Sequence, residues 1–317
     1  AMVFAVGIVV EGLEVREAGI SQEILVLGTA WWGLEKAALQ NRLILSVDSP
    51  EGLRRLKASA KEIGASASIH IKVDTGMGRL GVRWDAMEPL LQAVRQAGRV
   101  SLKGVFSHLS SADDRDPLYT LVQRRRFERA LGAVRKAGLD PGEIHLANSA
   151  GLLYYKPLRR WSARCGLGIY GYAPDPRRSP LGLRPVLSLK TRIGSVRALR
   201  RGESTGYGRL FSASRSSRIG ILPVGYADGF SRRFSNRGRV IIGDRWARIA
   251  GAVSMDMTAV DITDLPEVQE GDEVILLGSS PRCRLTAREW SDALRTVPYE
   301  VLCGITQRVP RICMRKD

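Results

Sequence analysis

The sequence predicts an α/β fold: a (β/α)8-type barrel without its first strand–helix unit over residues 1–182, then a mostly β C-terminal domain over 183–317. Three observations predict it. Short apolar runs alternate with helical stretches through the first half, which is how a parallel sheet with covering helices is built. A Gly- and Pro-rich stretch at 171–185, GYAPDPRRSPLGLRP, interrupts the alternation and reads as a linker. Beyond it come short strands separated by tight glycine turns.

In the first half, strands are expected at 2–6, 23–28, 42–47, 67–73, 100–106, 143–146 and about 162–165. Helical patterns lie between them, among them 50–62, 85–97 and 117–137. The last is amphipathic, with Leu121, Phe127, Leu131 and Val134 on roughly one side. A closed barrel of this type takes eight strands, and seven are counted here. In the second half, SLKTRIGSVRAL, SRIGILPVGY, GRVIIGDRWARIAGAVS and DEVILLG read as strands. One helix is expected at 286–295, with Thr286 as its N-cap and Glu289 three residues on.

Composition narrows the functional classes. Hydrophobic residues make up 44% and charged residues 26% of the 317, a globular balance. No run approaches the roughly 18 apolar residues of a membrane helix, and no signal-sequence pattern opens the chain. Four scattered cysteines form neither a C-x-x-C pair nor a disulfide framework. The expectation is a cytoplasmic protein with no membrane partner and no metal. The net charge of +17 comes from 49 basic residues, of which nine are lysine and 40 arginine. The arginines are dispersed and lack interleaved aromatics, so they are read as solvated faces and not as a nucleic-acid surface.

Functional groups of strand–helix barrels collect in the loops after the strands' C-terminal ends. Those positions hold Arg79, His108, Asn148, Ser149 and Arg164 to Leu167. The cations among them suit an anionic ligand. GMGRLG at 76–81 matches a dinucleotide fingerprint literally. The acidic ribose partner expected at the next strand end is replaced by Phe106, Ser107 and His108, which argues against that ligand.

With its flanks, KVDTGMGRLG (72–81) resembles the signature of the alanine racemase family, fold-type III pyridoxal-phosphate enzymes. SHLSSAD (107–113), ANSAG (147–151), RCGLGIYG (164–171), GYG (206–208), PVGYADG (223–229), VSMDM (253–257), PYE (298–300) and ITQRVPR (305–311) follow in the family's order. The resemblance implies an isomerase that interconverts L- and D-alanine for peptidoglycan and so for the cell wall, using pyridoxal 5'-phosphate. Alternatives of similar plan are a broad-specificity amino-acid racemase, a basic amino-acid decarboxylase, or a non-catalytic cofactor-binding relative.

The resemblance also implies roles. Asn148, Ser149, the amides of Gly166 and Leu167, and Tyr299 would hold the cofactor, chiefly its phosphate. Taken alone, Ser149 reads as an N-cap. Arg164 would face the pyridine nitrogen, with His108 in its hydrogen-bond network. Arg79 would lie near the cofactor's phenolic oxygen and the substrate carboxylate, and Lys72 matches a lysine that is carbamylated in several relatives. Tyr207 would be one of two bases, supplied with Tyr226, Met255 and Asp256 by the partner subunit of a homodimer with shared sites. Met255 would touch the substrate carboxylate through its amide, and Tyr226 with Tyr299 would narrow the entrance. The family's other base is a lysine at the end of the first barrel strand, in a motif like VVKA-x-AYGHG. No such motif occurs in this sequence. The expectation is therefore a fragment of a longer reading frame, inactive as it stands.

Overall fold

The computed structural model describes residues 3–175, 177 and 181–314. Met2 of the expected first strand, and Pro176 and residues 178–180 of the expected linker, lie outside the described residues. The chain forms two compact units: Ala1–Gly168 with Ala173–Gly182, and Ile169–Tyr172 with Leu183–Asp317.

The first unit alternates strands and helices. Its strands are β1 (Val3–Val6), β2 (Glu23–Val26), β3 (Ile44–Val47), β4 (Ala67–Asp74), β5 (Val82–Arg83), β6 (Val100–Phe106), β7 (Glu143–Ala147) and β8 (Ser162–Ala163). Its helices are α1 (Val9–Glu17), α2 (Glu35–Gln40), α3 (Pro50–Glu62), α4 (Glu88–Arg95), α5 (Leu118–Lys136) and α6 (Ser149–Tyr154). The strands pair in parallel in the order β1-β2-β3-β4-β6-β7-β8, with β5 beside β4. This is a curled seven-strand half-barrel, as the alternation predicts.

Strands covered on both faces are mostly apolar; β3 is buried at every position, its one polar side chain, Ser46, donating to Val26 O at 2.5 Å. On β4, Ile69, Ile71 and Val73 join the core that includes Leu53, Leu56, Leu90, Phe127 and Val134. The alternation of strand side chains then puts His70 and Lys72 on the opposite face, where both are still buried. Strand register places His70 beside Gly104 and Lys72 beside Phe106, with Phe106 beside His145 on β7. Gly104 leaves room for the imidazole: a Cβ there would stand 2.4 Å from the His70 ring.

The second unit is mostly antiparallel β. It contains β9 (Leu189–Arg192), β10 (Ser195–Leu199), β11 (Ser204–Thr205), β12 (Phe211–Ser212), β13 (Ser217–Leu222), β14 (Arg239–Ile242), β15 (Arg245–Ile249), β16 (Thr258–Asp261), β17 (Glu273–Ser279) and β18 (Arg284–Leu285). The main sheet runs β10-β13-β16-β15-β14-β17-β18, with β9 on β17, and β11 and β12 form a separate ribbon. The expected helix is α7 (Ala287–Leu294). Thr286 Oγ1 caps it by accepting from the Glu289 amide at 3.3 Å, and Glu289 accepts in return from the Thr286 amide at 2.8 Å. A helix not foreseen, α8 (Pro298–Cys303), follows and carries Tyr299. Proline at its first position supplies the preset φ of a helix start. Among the described residues, no helix is long and apolar enough to cross a membrane.

Candidate active site

Arg164 follows β8 and sits at the centre of a hydrogen-bonded cluster at the strand ends of the first unit. Its NH2 donates to Ser107 O at 2.6 Å and reaches His108 Nδ1 at 3.2 Å. Its NH1 lies 2.7 Å from His145 Nδ1 and 3.2 Å from His145 O. His145 Nε2 in turn meets His70 Nδ1 at 2.9 Å. The chain's three histidines therefore all connect to one guanidinium.

Burial first, and the Arg164 charge second, lower the pKa of His70 to about 4; the same causes, with Arg79 and Lys72 added, lower His108 to about 4. His145 is pushed lower still by burial, Arg164 and His70. All three are neutral near pH 7. A guanidinium only donates, so the Nδ1 atoms of His145 and His108 must accept. The proton of His145 is then on Nε2 and is donated to His70 Nδ1. Arg164 thus fixes the tautomer of each ring. Phe106 stacks on His145, centroids 4.7 Å apart, and lies beneath the Arg164 guanidinium at 5.2 Å and Lys72 Nζ at 5.3 Å.

Lys72 Nζ donates to Leu27 O at 3.4 Å. Burial, then Arg79 and Arg164, pull its pKa down to about 8 against the opposing pull of Asp48 and Asp74. The segment after it is held by Asp74, whose Oδ1 accepts from the amides of Gly76, Met77 and Gly78 at 2.8, 2.9 and 3.1 Å. Gly81 closes this turn at φ +120°, where a Cβ would come within 2.6 Å of Asp74 N. Arg79, at the tip, is exposed.

After β7, Asn148 is the N-cap of α6, its Oδ1 accepting from Gly151 N at 2.9 Å. This corrects the reading of Ser149 as the cap. The carboxamide one residue earlier has the extended backbone a cap needs, which frees the Ser149 hydroxyl. Ser149 Oγ instead accepts from the amides of Gly166 and Gly168, each at 3.3 Å. Leu167, between them, is buried at the side chain.

In the second unit, Tyr207 is 74% exposed. It stands on a single turn between Gly206 and Gly208, both at positive φ. The turn bearing Tyr226 (44% exposed) and the turn bearing Met255 (52% exposed) are bonded to each other. Tyr226 N donates to Ser254 O at 3.0 Å, and Ala227 N donates to Met255 O at 3.1 Å. Gly225 permits this contact, since a Cβ there would meet Ser254 O at 2.2 Å. Asp256 pairs with Arg308 at 2.8 Å, and Arg308 also reaches Asp228 at 3.1 Å. Tyr299 is exposed near the start of α8.

The family description "Alanine racemase, N-terminal domain" matches residues 1–174, and "Alanine racemase, C-terminal domain" matches 186–313. The chain belongs to the alanine racemase family. It is similar to the alanine racemase of Symbiobacterium thermophilum, 39% identical over 302 residues, which cover 95% of this chain and 80% of that one. The alanine racemase of Geobacter sp. strain M21 is 38% identical, covering 98% of this chain and 84% of the relative. Among solved structures, an alanine racemase of Clostridium difficile 630 superposes with a TM-score of 0.91 at 31% identity, covering 97% of this chain and 80% of that one. A histidine racemase of Leuconostoc mesenteroides reaches the same TM-score, 0.91, at 23% identity. That likeness shows the fold alone.

His70 and His145 went unnoticed in sequence because each lies inside a strand and not after one. The available signal is that a chain with three histidines puts two of them inside strands, His70 two residues before Lys72 and His145 three before Asn148, on strands that flank β6.

Proposed function

We propose that this chain is an alanine racemase polypeptide: a pyridoxal-phosphate-dependent isomerase acting on L- and D-alanine, cytoplasmic and homodimeric. We place its barrel domain over 1–182 and its β domain over 183–317. The single observation that carries this reading is Arg164. Its Nε is buried and has no hydrogen-bond partner in the structure, while its other nitrogens are taken up by Ser107, His108 and His145. A buried N–H without an acceptor costs on the order of 1–3 kcal/mol. A pyridine nitrogen is an acceptor of the right kind, so the donor set fits the cofactor.

When bound, the cofactor withdraws electrons from the amino acid's α-carbon and makes its proton removable. The chain's own groups do the rest. Arg164 does not give up its proton to a pyridine and the neighbouring histidines are neutral, so Arg164 would offer the ring nitrogen a hydrogen bond without protonating it. Ser149, the amides of Gly166 and Leu167, and Tyr299 would hold the phosphate, with Asn148 beside the cofactor. Arg79 and the Met255 amide would orient the substrate carboxylate, and Tyr226 with Tyr299 would exclude bulky side chains. Lys72, its pKa lowered by burial and then by two arginines, is a candidate for carbamylation, which would turn repulsion from Arg79 into attraction. Tyr207 would move one of the two protons that inversion requires.

The test is D-alanine formation from L-alanine with added pyridoxal phosphate. It is measured for the 317-residue polypeptide and for any longer reading frame that contains it. The expected result is D-alanine from a frame that also supplies a strand-end lysine, and none from these residues alone. Faster inversion of another amino acid would favour the broad-specificity reading. Conversion by the 317 residues alone would overturn the assignment of the second base.

A further inference from the structure

We propose that Gln123, a residue of α5, is a positioning residue: its side-chain amide locks the loop that carries Arg79 to the loop that carries His108. The inference rests on the roles proposed above for those two residues, but what it asserts is a coupling of loops.

The amide of Gln123 is saturated. Oε1 accepts from the Ser110 amide at 2.9 Å and the Ser110 hydroxyl at 3.1 Å. Nε2 donates to His108 O at 3.0 Å and to Thr75 Oγ1 at 3.3 Å. Thr75 Oγ1 shares a hydrogen bond with Ser107 Oγ at 2.8 Å. Ser107 O and His108 Nδ1 both meet Arg164, at 2.6 and 3.2 Å. The bonds close a ring through Gln123, Thr75, Ser107, Arg164 and His108. Gln123 and Thr75 are 0% exposed and Ser107 1%, so no solvent replaces a bond that is lost.

The helix repeats the grip on either side. Tyr119, Gln123 and Arg126 lie four and three residues apart on α5, a spacing that places them on one helix face. Tyr119 OH donates to Gly76 O at 2.7 Å, and Arg126 NH1 donates to Thr75 O at 3.0 Å. Asp74 already binds the N–H groups of this loop, so α5 takes its carbonyls and the Thr75 hydroxyl. The segment leading to Arg79 is thereby fixed from both sides. Gly76 is required by its backbone, at φ +130°, and its missing Cβ lets the Tyr119 hydroxyl approach.

The experiment compares Gln123→Met, Gln123→Glu and Val134→Ala in the full 317-residue chain. Val134 is fully buried on the same helix and lies ~16 Å further along its axis. Two readouts are used: ring 15N resonances of the three histidines, and hydrogen exchange of the Gly76, Met77 and Gly78 amides. Gln123→Met is expected to move the His108 resonances and to speed exchange in the loop by about tenfold or more, leaving His70 in place. Gln123→Glu keeps the acceptor for Ser110 but sets an oxygen without a donor against His108 O, and is expected to change both readouts in the same direction and by at least as much. If Gln123→Met does not fold, this variant decides alone. Val134→Ala is expected to lower the Tm and move neither readout. Gln123 variants that lower the Tm with His108 and the loop unchanged would overturn the proposal, as would equal changes in Val134→Ala. Absence of D-alanine formation from a longer frame, with both readouts responding, would instead count against the proposed function.

Discussion

Acidification between pH 7.5 and 4.5 tests the histidine–arginine cluster most directly. Each histidine has a lowered pKa in the fold, about 4 for His70 and His108 and lower for His145. In the unfolded chain each should titrate near 6.5. The unfolded state therefore binds more protons throughout this window. Stability is fully present above about pH 6.5 and is lost as pH falls below it. The loss levels off only near pH 4 for His70 and His108, and below that for His145.

One unmatched proton corresponds to about 1.4 kcal/mol per pH unit. Three give a limiting slope of about 4 kcal/mol per unit, and a cumulative loss of roughly 8 kcal/mol by pH 4.5. That is comparable to the whole stability of an ordinary domain, about 5–15 kcal/mol, so the first unit should lose much of its stability across the window. The assay is hydrogen exchange of β4 and β6 amides across the window, corrected for intrinsic rates. A histidine 15N titration accompanies it. His70→Asn, which keeps an acceptor for His145 but cannot be protonated, should reduce the slope by about one proton's worth. A slope at or below one proton in the wild type, or rings titrating near 6.5, would refute the burial and tautomer assignment together.

Two other substitutions separate local architecture from chemistry. Gly81→Ala places a Cβ 2.6 Å from Asp74 N at a φ of +120° and should cost at least ~2 kcal/mol in urea unfolding; an unchanged midpoint would show that the turn is not strained as described. Tyr207→Phe, at a residue 74% exposed, should leave the Tm within about a degree and, in an active longer frame, lower racemisation about 10²–10⁴-fold. Retained activity would remove Tyr207 from the catalytic pair.

What could be read from the sequence follows the range over which each interaction acts. Strand–helix alternation and the glycine-punctuated second half are local patterns, and both units formed as the patterns require. Strand-end position was likewise enough to find Arg164 and His108, because a parallel sheet brings all its C-terminal strand ends to one edge. The Asn148 cap was misassigned to Ser149 by one residue: both side chains can cap, and the choice depends on which backbone is extended. The Ser149 hydroxyl turns instead to Gly166 and Gly168, far along the chain. Gln123 marks the same limit more sharply. Its neighbours in sequence are Arg124, Arg125 and Arg126, and a glutamine beside them reads as surface. It is buried because the amide finds partners after two different strands, in Thr75, His108 and Ser110. Most buried polar groups are hydrogen-bonded, and the partners of Gln123 exist only once β4, β6 and α5 have docked. Residues that make the site rigid are thus the ones a linear pattern conceals, since what distinguishes them is the company that folding brings.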